Sequence, residues 1–323
     1  MLNQQKHSFM MTSLISLKNS ALSFWGLCMF LSLAASSQPN YPRTPEQAKV
    51  VYTDLVHFVE AYNELATNSD TLQVLQTMYF DRGSEGLKEF IRRHQLSPEM
   101  LRDAMLANPE RYALLPNFLA NISVVEDTYL KLMQDYSSVL PNAMYPPTYL
   151  LVGANRGIGQ ASLVGQLITV TRAADNLEKL QKIMTHELSH FQQAMAMGGQ
   201  KYAALYTAPN NMLGICLREG GAEFVTSLVL NDITQSAALD YIKKNESSLK
   251  QKFTEDLETQ NKNFWLWASI GQNEYPRLLG YAMGYLISKK YYEQAPDKTA
   301  ALQNILLIDD AEAFVQSSGY FGK

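Results

Sequence analysis

The sequence predicts an α+β fold that is mostly α-helical, with a small antiparallel sheet or hairpin beside a pair of long helices. Three observations carry this. Over residues 44–136, Val50, Leu55, Val56, Phe58 and Val59, then Leu72, Val74 and Leu75, recur at helical rather than alternating intervals. Tyr145-Pro146-Pro147 then interrupts the pattern, and two short apolar runs follow, 149–152 and 163–170. From Asn176 onward helical spacing returns, over 176–197, 211–230 and 276–292.

Within the first helical stretch, Ser97-Pro98-Glu99 reads as an N-cap followed by proline at the first helical position. Asn108-Pro109 and Leu115-Pro116 punctuate the helices after it. Between the two apolar runs stands Gly153-Ala154-Asn155-Arg156-Gly157-Ile158-Gly159. A crossover helix needs a dozen or more residues, and too few remain before residue 163, so an antiparallel hairpin is expected here.

The chain has 323 residues, 46% hydrophobic and 18% charged, enough to bury a sizeable core and unlike a disordered segment. Its formal net charge is −4 and no basic run stands out, so nothing points to a nucleic-acid partner. Lys6 and Lys18 precede an apolar stretch from Ala21 to Ala35, which ends in Ala34-Ala35-Ser36-Ser37. A basic start, an apolar middle and a small-residue end read as a secretory signal over 1–37, leaving no stable membrane span once it is cleaved. The bulky Leu27 before Cys28 argues against lipid attachment there. The expected location is exported, periplasmic or extracellular, or membrane-anchored if the signal stays uncleaved; after cleavage Cys216 is the one cysteine left, without a disulfide partner.

The chemistry concentrates at His186-Glu187-Leu188-Ser189-His190. Residues four apart on a helix share a face, so His186 and His190 can offer two imidazole nitrogens to one ion. Glu187 stands beside them as a general base for an attacking water. Leu177, Leu180, Met184, Leu188, Phe191 and Met195 form an apolar stripe on roughly the opposite side of the helix. One face thus anchors in a core while the other looks into a cleft.

A catalytic zinc wants a third protein ligand. The other histidines, His7, His57 and His94, all lie upstream, and none follows His190 at short spacing. A carboxylate is the better source. Glu219 and Glu223 are again four apart, in Leu217-Arg218-Glu219-Gly220-Gly221-Ala222-Glu223-Phe224. One of them can bind the metal while the other holds a histidine through its second nitrogen, and spacing alone leaves their order open. Two successive glycines inside a helix point to close packing against another helix.

His-Glu-x-x-His followed by a Glu-Gly-x-Ala-Glu-Phe-like helix resembles the gluzincin metallopeptidases. More narrowly, it is similar to the predicted zinc-dependent proteases of the Bacteroidetes type, akin to gliding-motility lipoprotein-like proteins. The resemblance runs from about Tyr149 to the C-terminus and includes Arg277-Leu278-Leu279-Gly280-Tyr281 and Ser318-Gly319-Tyr320. It implies a zincin-like helix pair and Zn2+ held by His186, His190 and Glu219. It further implies Glu187 as catalytic base and Glu223 as the carboxylate behind a ligand. The activity implied is hydrolysis of a peptide or protein substrate by a metal-activated water. On that reading residues 38–323 form one metallopeptidase domain, with a helical lobe over 38–145 and the catalytic region over 146–323.

Such an enzyme also needs a donor for the tetrahedral oxyanion. Tyr281 and Arg277, four apart on the expected 276–292 helix, are the candidates. Two other classes remain. One is a zinc-stabilised envelope protein with a binding or assembly role and little hydrolysis. The other is an NAD(P)-dependent short-chain reductase, suggested by the glycine-rich turn and by Tyr285-x-x-x-Lys289, and opposed by the missing crossover helix.

Overall fold

Residues 40–208, 210–267 and 274–322 are described by the computed structural model of the protein. The expected signal over 1–37 lies outside them. The chain enters with β1 (Val50–Val51) and then builds seven helices: α1 (Thr53–Glu64), α2 (Thr71–Leu75), α3 (Glu85–His94), α4 (Pro98–Ala107), α5 (Pro109–Ala113), α6 (Leu115–Ala120) and α7 (Ile122–Val139). A π-helical turn, Gln76–Phe80, extends α2. Ser97 caps α4 by accepting from the Met100 amide at 3.3 Å, with Pro98 in the first turn as expected.

After Pro147 come β2 (Thr148–Leu151), β3 (Gly159–Ser162) and β4 (Gly165–Thr169). The four strands form one sheet in the order β1-β2-β4-β3. β2 pairs with β1 and β4 in parallel, whereas β3 pairs with β4 antiparallel. The expected hairpin therefore exists with a different partner. Its first strand is the end of the glycine-rich run, and 149–152 lies parallel to 163–170, not antiparallel. The connection from β2 to β4 holds β3 and no helix, so the dinucleotide-binding arrangement is absent from this turn.

The second half is helical: α8 (Leu177–Met197), α9 (Gly199–Thr207), α10 (Met212–Leu230), α11 (Ser236–Lys244), α12 (Glu246–Thr259), α13 (Lys262–Trp265), α14 (Leu279–Gln294), α15 (Lys298–Leu307) and α16 (Ala311–Ser318). No described helix is long and apolar enough to cross a membrane.

Tyrosines tie the N-terminal helices to the sheet and to α8. Tyr79 Oη donates to the Val152 carbonyl at 2.8 Å and accepts from the Val152 amide at 2.9 Å. Tyr112 donates to the Gly153 carbonyl, and Tyr129 meets Thr148 Oγ1, both at 2.9 Å. Tyr136 meets Ser189 Oγ at 3.1 Å, inside the His-Glu-Leu-Ser-His segment itself. Backbone groups at the ends of short strands need such partners when buried. The same contacts hold the sheet and α8 in register.

α8 behaves as its stripe requires. Leu180, Met184, Leu188 and Phe191 are fully buried or nearly so, and Asn176 caps the helix by accepting from the Lys179 amide. α10 packs on α8 and, most closely, on α14. A β-carbon on Gly220 would collide with the backbone of Gly284 and Tyr285, and one on Gly284 with the Cys216 carbonyl. The glycine pair expected to admit a neighbouring helix is thus half accounted for by α14. Gly221 faces Ile305 of α15 instead.

Candidate metal centre

α8 and α10 lie side by side so that His186 and His190 on one meet Glu219 and Glu223 on the other. Glu219 Oε2 is 3.4 Å from His186 Nε2 and 3.1 Å from His190 Nε2. One ligand atom each from His186, His190 and Glu219 can be chosen so that all lie within 4.8 Å of one another. Donors about 2.0–2.1 Å from a tetrahedral zinc stand about 3.3 Å apart, so the carboxylate–imidazole spacings suit such an ion.

The outer nitrogens decide what the inner ones can do. Gln193 donates its amide to the Arg218 carbonyl at 2.8 Å, which turns Gln193 Oε1 to His190 Nδ1, also at 2.8 Å. His190 must then carry its proton on Nδ1, leaving a lone pair on Nε2. His186 Nδ1 lies 3.3 Å from Glu223 Oε1, within ion-pair distance but off the hydrogen-bond angle, so it is buried without a partner. With that proton also on Nδ1, two imidazole lone pairs and a carboxylate oxygen converge on one point. Such an arrangement repels itself unless a cation stands among them. The residues present fit a divalent ion.

Formal charge agrees. Glu187, Glu219 and Glu223 bring three negative charges and Arg218 one positive, which a divalent cation would neutralise. His190, Arg218, Glu219 and Glu223 are all buried, and His186 keeps 16% of its side chain exposed. Burial alone would depress the His186 imidazole, but Glu223, Glu219 and Glu187 outweigh it and lift it well above its ordinary value. Burial would raise Glu219, yet His190, His186 and Arg218 hold it well below the carboxylate range. Both directions say that this cluster attracts positive charge.

Glu187 is half-buried, beside β3. Burial raises its carboxyl above the usual range, against the pull of His190 and His186. A β-carbon on Gly159 would come within 2.6–2.9 Å of the Glu187 side chain. The glycine therefore makes room for this carboxylate.

Tyr281, half-buried on α14, has its phenol beside Glu219. Burial and the Glu219 and Glu223 charges, opposed by Arg218, push it well above its ordinary value, so it stays protonated and able to donate. The helix starts at Leu279 rather than near 276 because Leu278 takes a left-handed conformation, φ 60°, and Arg277 is exposed ahead of it. Cys216 is buried against Gly280, its thiol pushed up by burial and then by Glu219.

Several residues at this centre carry no signal in the sequence. Arg218, only 2% exposed, donates Nη2 to Glu219 Oε1 at 2.7 Å, and Tyr206 donates to the same oxygen at 2.6 Å. Thr234 and Gln235 donate to Glu223. Gln193 falls three residues past His190, a spacing that on a helix reaches the same face, and that was the one clue available.

A family model described as "Predicted Zn-dependent protease (DUF2268)" matches residues 147–314, just over half of the 323-residue chain. The chain belongs to this family. The DUF2268 match spans His186, Glu187, His190, Glu219, Glu223 and Tyr281 and ends inside α16, while α1 to α7 precede it. No curated protein and no solved structure matches the chain.

Proposed function

We propose that the protein is a zinc-dependent peptidase of gluzincin type, with His186, His190 and Glu219 holding the ion. The observation that carries this is the convergence of His186 Nε2, His190 Nε2 and Glu219 Oε2, with Gln193 accepting at His190 Nδ1 so that the Nε2 lone pair faces inward. Membership of a family described as predicted Zn-dependent proteases supports the choice of metal and reaction. When bound, zinc would supply a Lewis acid that polarises the scissile carbonyl and acidifies water.

The chain's own residues do the rest. Glu187, raised by burial, takes a proton from the attacking water and returns it to the leaving nitrogen. Tyr281 donates its hydroxyl to the oxyanion that develops on the carbonyl. β3 is an edge strand against α8, suited to align an extended peptide by strand addition. Glu223 orients His186 from behind. The basic, apolar and small-residue sequence of 1–37 supports export of a mature chain from about residue 38.

The test is metal analysis of the purified protein beside its Glu187→Gln variant, with an unfolded protein as substrate. Equal zinc in both and a loss of turnover of at least about a hundredfold in the variant is the expected result. Absence of zinc from the unsubstituted protein under saturating conditions ends the reading.

A further inference from the structure

We infer that Arg218 and Tyr206 act as a clamp that restricts Glu219 to one-oxygen coordination and so keeps a position on the ion open. The inference rests on the metal-site reading above and goes beyond it, because neither residue is a ligand. Glu219 has two oxygens with separate duties. Oε2 faces both imidazoles, while Oε1 accepts from Arg218 Nη2 at 2.7 Å and from Tyr206 Oη at 2.6 Å. Two donors, one of them charged, make Oε1 a poor candidate to swing toward a cation.

The clamp is anchored on three helices. Tyr206 comes from α9, Arg218 and Glu219 from α10, and Gln193 of α8 bonds both the Arg218 carbonyl and His190 Nδ1. The guanidinium also lies over the Tyr202 and Tyr206 rings. Arg218 Nε and Nη1 are buried without hydrogen-bond partners. Keeping a charge 2% exposed with two donors unmet is costly. Rings on its face offset part of that cost. An arginine used only to pack α10 has no need of this arrangement, whereas one that must hold a carboxylate oxygen does.

The consequence concerns the ion's coordination number. A carboxylate freed at Oε1 can bind through both oxygens, filling the position a hydrolytic site must leave to water or substrate. Arg218 and Tyr206 are therefore positioning residues, acting through Glu219.

The test compares the unsubstituted protein with Tyr206→Phe, which deletes a single hydroxyl, and with Arg218→Lys, which keeps the charge but not the fork. Each is loaded with cobalt(II) in place of zinc, and zinc affinity is read by competition with a chelating indicator. The expected result is a visible absorption typical of four-coordinate cobalt in the unsubstituted protein, and a weaker, five-coordinate spectrum in Tyr206→Phe. Zinc affinity should change by about tenfold or more. A Tyr206→Phe protein with unaltered spectrum and affinity overturns the clamp, even if Arg218→Lys fails to fold. Failure of the unsubstituted protein to bind cobalt or zinc overturns the metal site itself, which is a different result.

Discussion

His186 turns Nδ1 toward Glu223, 3.3 Å away, while Thr234 and Gln235 both donate to that same carboxylate. Glu223 is thus fixed from the loop after α10 and aimed at an imidazole on α8. Partners behind a metal-binding histidine set its tautomer and commonly carry 10–100-fold in affinity. Glu223→Ala is expected to weaken zinc binding by about that factor with the fold intact. Chelator competition and far-ultraviolet circular dichroism check the two halves, and unchanged affinity would refute the role.

Gly159 on β3 faces Glu187 closely enough that any β-carbon would displace the carboxylate. Glu187 is not among the three residues whose donor atoms converge, so its displacement should leave metal in place. A misplacement of about 1 Å at a reacting group can cost about 10²-fold in rate. Gly159→Ala is expected to lose turnover on that scale at full zinc occupancy. Loss of zinc in parallel would show that β3 supports the ligands rather than the base.

How much of this was legible in the sequence depends on distance along the chain. The stripe from Leu177 to Met195 and the histidines opposite it are set by helical geometry over 19 residues, and α8 follows them closely. The four-residue spacing of Glu219 and Glu223 showed that both would share a face, but which one stands between the two imidazoles depended on how α10 slides along α8. The pairing of β2 with β4 was not legible, because parallel and antiparallel strands carry the same apolar runs and only the intervening β3 distinguishes them. Nothing in the sequence assigns a role to Arg218, because the rings of Tyr202 and Tyr206 reach it only once α9 folds over α10. The early start expected for α14 failed at a single residue, Leu278, whose left-handed backbone no periodicity announces.

Removing the ion should destabilise the fold as well as the activity. Without it, Glu187, Glu219 and Glu223 are offset only by Arg218 and by a proton taken up on His186, and Glu219, Glu223 and Arg218 stay buried. A ligand present at a thousand times its Kd adds about 4 kcal/mol to the folded state. For a domain of this size that corresponds to a shift in Tm of roughly 10 °C. Thermal scans with excess zinc and with a strong chelator should differ by about this much. Coincident curves would mean that no ion is held by the native state.

The glycines around α10 offer a test in which alanine at Gly284, where α14 crosses it, should act against helix propensity, while alanine at Gly221, facing α15, should be nearly neutral. Glycine to alanine inside an exposed helix usually stabilises by up to about 1 kcal/mol. At Gly284 the added carbon meets the Cys216 carbonyl, a backbone atom that cannot rotate away. The two helices must move apart, and overpacking of this kind costs about 1–3 kcal/mol or more. The movement would also carry Glu219, one turn from Cys216, away from the histidines, so zinc affinity should fall with stability. At Gly221 the nearest atom is the Ile305 side-chain methyl at 3.2 Å, which can shift by a few tenths of an ångström. Gly221→Ala should therefore be close to neutral. Urea unfolding of both variants, each with and without zinc, gives the comparison. Equal stability of Gly284→Ala and the unsubstituted protein would show that the helices tolerate separation and that the glycine has another cause.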